Sequence, residues 1–203
     1  MSFFRKKKIT PPSGPPEFLI VGLGNPGRNY ENTRHNAGFL CLDMLAEKLN
    51  FKIDRLKFKS LLGDAVINGR RCLVMKPQTY MNRSGEAVRD AADFYKIPTE
   101  NIIVIFDDAS LPTGTMRIRR KGSDGGQKGV QNIIYILNDD NFPRLKLGIG
   151  QKPHPDYDMK DYVLSRFSKE EIPAMKEAME KACAALEYIV DGEIDLAMAK
   201  FSK

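Results

Sequence analysis

Residues 18–23 form an almost wholly apolar run of strand length closed by Gly24, Pro26 and Gly27, which predicts a strand buried on both faces. Phe39, Leu42, Leu45, Ala46 and Leu49 then recur at helical spacing across 36–49, with Asn36 in position to cap the helix and Glu47 and Lys48 turned to water. Two β-rich runs, 64–68 and 71–76, flank Asn68-Gly69-Arg70, a tight hairpin signal that makes part of the sheet antiparallel. A helix at 84–95, a buried strand at 102–106 and a strand at 115–119 with alternating basic residues follow. Next come a glycine-rich loop at 122–129, a helix ending at Leu137 and a strand at 144–149. Residues 151–159, with Pro153 and Pro155, lack periodicity and read as a loop. Helices at 169–190 and 193–201, parted by Gly192, complete the pattern. Strands alternating with helices predict an α/β fold, a single-domain three-layer α/β/α sandwich on a mixed, mostly parallel twisted sheet.

A chain of 203 residues suits one domain with a real core. The expected organisation is a basic, proline-rich tail over 1–17, carrying Arg5 to Lys8 and then four prolines, ahead of a domain at 18–203. No stretch approaches the ~18 uncharged apolar residues of a membrane span, and nothing resembles a signal sequence, so a cytoplasmic location is expected. Cys41, Cys72 and Cys183 are far apart, each inside an apolar run and without a Cys-x-x-Cys pair, so they read as reduced packing residues. A formal charge of +6 suits a polyanionic partner such as nucleic acid and suits a merely basic enzyme equally well.

Only two histidines exist, His35 and His154. His35 lies in the polar loop 29–36, between the carboxyl end of the first strand and the next helix, where α/β sheets place ligand sites. His154 lies in the proline-containing loop and reads as solvated. Asp107 and Asp108 end the buried strand 102–106, and in a parallel neighbour of the first strand that end can bring Asp107 to His35, where a carboxylate fixes the imidazole tautomer. Two acids that merely terminate a strand fit the residues as well. No G-x-S-x-G elbow and no zinc-ligand spacing is present. For a hydrolase this leaves water activated by histidine.

Gly22-Leu23-Gly24-Asn25-Pro26-Gly27 matches the dinucleotide pattern G-x-G-x-x-G. That pattern requires a helix opening inside the motif and an acid about 20 residues on at the end of a second strand. Here a polar loop follows, and Asp43 lies within a predicted helix, so the nucleotide reading fails.

The run 19–27 with Tyr30 and Thr33-Arg34-His35-Asn36-Ala37-Gly38 resembles the opening signature of bacterial-type peptidyl-tRNA hydrolases. The runs 76–85, 107–114, 125–129 and 144–150 resemble four further blocks of that family, in order and spacing, over nearly the whole chain after the tail. The resemblance implies hydrolysis of the ester between a peptide and the 3′-terminal ribose of tRNA, recycling tRNA that has dropped off the ribosome. It implies His35 as the general base, Asp107 as its orienting carboxylate, and Asn25 and Asn82 as amide contacts to the acyl-aminoacyl end. Asn25 would also help reject a free aminoacyl-tRNA. By the same resemblance Tyr30, Tyr80 and Met81 are cleft walls for the terminal adenine and peptide side chains, and Arg119 and Arg144 grip a tRNA phosphate. No cofactor, metal, membrane or obligate protein partner is expected, and a monomer is expected.

The family's glycine-rich loop usually reads Gly-Gly-His-Asn-Gly, whereas here Gln127 and Lys128 stand in the third and fourth places. Lysine offers only donors where asparagine both donates and accepts, so the contact made by Lys128 with substrate must differ. A non-catalytic RNA-binding protein on the same fold, like the splicing partners related to these hydrolases, is the alternative, and retention of His35, Asp107, Asn25 and Asn82 favours the enzyme.

Overall fold

The computed structural model describes residues 13–202. Most of the expected tail at 1–17 therefore lies outside the described residues. Burial follows the hydropathy pattern: β1 (Phe18–Gly22) is covered at all but its first position, and a later strand, Ile102–Asp108, at every one. Strands so apolar need helices on both faces. Leu19 and Val21 point into one core and Ile20 into the other, and residues 102–106 divide in the same alternating way.

In chain order, β1 is followed by α1 (Ala37–Leu49), β2 (Arg55–Lys57), β3 (Ser60–Ile67), β4 (Arg70–Pro77) and α2 (Ser84–Tyr95). Then come β5 (Ile102–Asp108), β6 (Met116–Arg119), α3 (Lys128–Leu137) and β7 (Arg144–Gly148). The last helices are α4 (Met159–Leu164), α5 (Glu171–Val190) and α6 (Ile194–Phe201). The seven strands form one sheet in the order β2-β3-β4-β1-β5-β7-β6. Pairings are parallel among the four central strands and antiparallel at both margins. Helices α1, α5 and α6 pack on one face, and α2 and α3 on the other.

The hairpin turn forms as read, with Asn68 and Gly69 both at positive φ. Ser168 and Glu171 bond reciprocally at the start of α5, a capping box. Two elements depart from the reading. Strand β2 turns into β3 through Phe58 and Lys59, both at positive φ without a glycine to announce it. Within the expected loop, α4 begins at Met159, capped by the Asp158 side chain.

The helices after β1 and β4 leave toward opposite faces, so a crevice opens at the carboxyl ends of the central strands. The start of α1 is pressed onto that end. A Cβ on Gly38 would stand 2.6 Å from the Leu23 carbonyl oxygen, and nearer still to the Leu23 nitrogen and the Ile105 carbonyl. Only hydrogen fits there, and the contact fixes the turn three residues upstream. Gly38→Ala is expected to lower stability by about 1–3 kcal/mol or more, read as an earlier urea midpoint with an unchanged m-value.

Candidate active site

His35 sits in a short 3-10 turn, Arg34–Asn36, between β1 and α1. Its Nδ1 lies 2.7 Å from Asp107 Oδ2, which leaves Nε2 toward a cleft of about 820 Å³ lined by both residues. With the carboxylate ionised, Nδ1 carries the proton and donates, and Nε2 presents a lone pair. Burial is the largest single influence on the imidazole and disfavours its charged form. The charge and hydrogen bond of Asp107 act the other way and together raise its pKa above 6.5.

Strand alternation decides between the two adjacent acids. Asp107 is 4% exposed and meets His35, while Asp108 accepts from Ser110 and, at 3.0 Å, from Lys146 Nζ. Burial pushes the Asp108 pKa up, and these bonds outweigh it and hold it below the usual value.

Asn36 does not cap α1. Its side chain instead accepts from the Asn25 backbone N–H at 2.9 Å and donates to the Asn25 carbonyl at 3.0 Å. Asn25 Oδ1 accepts from Met81 N at 2.8 Å. The Asn25 amide is thus locked with its NH2 as the group left to a ligand. Tyr30 and Tyr80 meet edge to face at 6.4 Å, with Tyr80 60% exposed, and Met81 is buried in the wall. Asn82 and Lys128, both exposed, complete the rim.

Arg34 anchors the histidine turn. Its guanidinium pairs with both Glu171 oxygens at 2.8 and 2.7 Å, donates to the Ile149 carbonyl, and lies against the rings of Tyr162 and Phe167. The Arg34 hydrogen bonds hold the Glu171 carboxyl below its ordinary pKa. The Arg34 Nε and backbone N–H also donate to Ser165, so the turn is tied to the segment after α4, whose Met159, Lys160, Val163 and Leu164 roof the cleft.

The two arginines assigned to a phosphate part company. Arg119 is exposed on edge strand β6, with one bond to its neighbour's carbonyl. Arg144 is a correction. It is 0% exposed, its guanidinium stacks on Phe142, Nη1 donates to the carbonyls of Asp140 and Phe142 and Nη2 to that of Gly122, and Nε is buried without a partner. Arg144 begins β7, at the end of the parallel strand far from the cleft. Lys146, two residues on and on the same face, lies beside Gly125 of the glycine-rich loop, 3.2 Å from the point where a Cβ on that glycine would stand. The period-two rule could have found it. The sequence marks Gln127 only as a departure from the family's loop, yet its amide is buried against Asp107. His154 is exposed and lies outside the cleft, and all three cysteines are buried thiols.

The family profile described as Peptidyl-tRNA hydrolase matches residues 19–203. A protein of that name from Caldanaerobacter subterraneus subsp. tengcongensis is 51% identical over 185 residues, 91% of this chain and 99% of the relative. Another from Alkaliphilus oremlandii is 48% identical, over 91% of this chain and 98% of the relative. A crystal structure of peptidyl-tRNA hydrolase from Acinetobacter baumannii matches with a TM-score of 0.86 at 34% identity, covering 94% of this chain and 97% of that one.

The His35 imidazole is expected to titrate above 6.5, followed by NMR across pH. In Asp107→Asn its midpoint is expected to fall below that value, because burial then acts with no neighbouring charge to oppose it. A midpoint that stays put on losing the carboxylate would show that Asp107 does not govern the imidazole.

Proposed function

Because this chain belongs to the peptidyl-tRNA hydrolase family, we propose that its cleft hydrolyses the ester between a peptide and the terminal ribose of tRNA, with His35 as the general base. The observation that carries this reading is the 2.7 Å contact between His35 and Asp107 on the cleft wall. The relatives lend no support to the non-catalytic RNA-binding alternative.

His35 Nε2 takes a proton from water, and the hydroxide oxygen bonds to the ester carbonyl carbon. Asp107 stabilises the imidazolium that results. The tetrahedral intermediate collapses by breaking the bond to the ribose oxygen, which receives the proton back from Nε2. The products are a peptide carboxylic acid, which then ionises, and a tRNA with a free hydroxyl.

Asn25 presents only a donor, since its oxygen is held by Met81 N. It is placed to hold a peptide carbonyl or the developing oxyanion. A free, protonated α-amine would find no acceptor there, which supports discrimination against aminoacyl-tRNA. Tyr80 and Tyr30 offer faces for the terminal adenine, and Met81 an apolar wall for a peptide side chain. Asn82 and Lys128 are polar contacts at the rim, where Lys128 can donate to a carbonyl or phosphate oxygen. Of the two arginines Arg119 is the phosphate contact, and Lys146 and Arg117, paired across β6 and β7, extend the basic strip toward the cleft.

Purified protein is expected to release peptide from an N-blocked aminoacyl-tRNA. His35→Ala should lose roughly 10²–10⁴ in rate while tRNA affinity, read by filter binding, stays intact. Wild-type protein that binds tRNA and releases nothing would defeat the hydrolase reading. Arg119→Ala should weaken tRNA binding and reduce the slope of log K against log[salt] by about 1, whereas Arg144→Ala should show first as lost stability.

A further inference from the structure

Gln127 is 7% exposed and carries three polar contacts on one amide. Its Oε1 accepts from Val130 N at 2.9 Å, capping α3. Its Nε2 donates to Asp107 Oδ1 at 3.1 Å and to Met81 Sδ at 3.2 Å. The amide cannot be turned over. A backbone N–H requires the oxygen and a carboxylate requires the NH2, so exchanging them would set donor against donor at Val130 and acceptor against acceptor at Asp107.

We infer that Gln127 is a positioning residue for the reaction, fixing the plane of the Asp107 carboxylate from the oxygen that His35 does not use. The inference rests on the reading of His35 as the general base. Asp107 has two oxygens, and each is directed by a separate segment, one by the histidine turn and one by the start of α3. A carboxylate held at one oxygen can swing about that bond. Held at both, it presents Oδ2 to the imidazole in one orientation. Gln127 does this without a proton equilibrium of its own.

The backbone is shaped to bring the amide there. Gly125 and Gly126 take positive φ, turning the chain inward just before Gln127. A Cβ on Gly129 would stand 2.7 Å from Met81 Sδ and 3.0 Å from Gln127 Oε1, so the first turn of α3 is seated directly against the wall of the cleft. The same Met81 receives Nε2 at its sulfur and gives its N–H to Asn25. Gln127 therefore bears on both the base's partner and the residue that positions the acyl group.

The test separates this from simple helix capping. Gln127→Ser keeps an oxygen suited to the cap, at a position where serine is favoured, and is too short to reach Asp107. It is expected to leave the melting temperature near wild type and the tRNA Kd unchanged, and to lower kcat for an N-blocked aminoacyl-tRNA by roughly 10-fold or more, with little change in KM. In an Asp107→Ala background the same substitution should change kcat by less than about twofold, because its target is gone. Gln127→His can accept from Val130 at one ring nitrogen and donate to Asp107 from the other, and should recover most of the wild-type kcat above the ordinary imidazole range. Equal loss of kcat in both backgrounds, or wild-type kcat in Gln127→Ser, would overturn the inference. Should Gln127→Ser fail to fold, Gln127→His decides, since a low kcat in a folded variant that keeps both contacts would also overturn it. Failure of the underlying reading looks different, because His35→Ala would then retain peptide release whatever Gln127 does.

Discussion

A carboxylate withdrawn from water must be met by donors, or burial costs several kcal/mol. Asp107 is such a group, and the cleft is organised by how it is met. Its two oxygens take a donor from the turn after β1 and a donor from the loop before α3. Satisfying the anion and orienting the imidazole are one arrangement. The bond that stabilises the buried charge also selects the Nδ1 proton and leaves Nε2 with a lone pair facing the cleft.

That arrangement was partly legible in the residues. Apolar runs at 18–23 and 102–106 became central strands because a strand without polar positions needs cover on both faces. If those strands are parallel neighbours, the residues that follow each come together at one end, and this is how His35 and Asp107 could be paired before any coordinates. Alternation then separates Asp107 from Asp108, which turns to Lys146. The resemblance added what spacing cannot supply, the expected role of Asn25 and the identity of the substrate.

Other features left little trace. The turn into β3 uses Phe58 and Lys59 at positive φ, and neither residue type signals a turn. Helix α4 is six residues long, too short for periodicity to register. The resemblance assigned Arg144 to a phosphate, and nothing in the strand pattern marks this arginine as buried. Its burial depends on carbonyls of Asp140, Phe142 and Gly122 that only the folded loop assembles. Gln127 carried a signal of another kind, a departure from pattern, whose meaning needed the direction of each half of its amide.

The guanidinium of Arg34 has one further implication. It holds the histidine turn, the carbonyl after β7, the first turn of α5 and the residue that ends α4. The roof of the cleft and the His35 turn are therefore hung from a single planar hub. The position of the roof and the orientation of the imidazole are fixed through one side chain, and loosening either loosens the other.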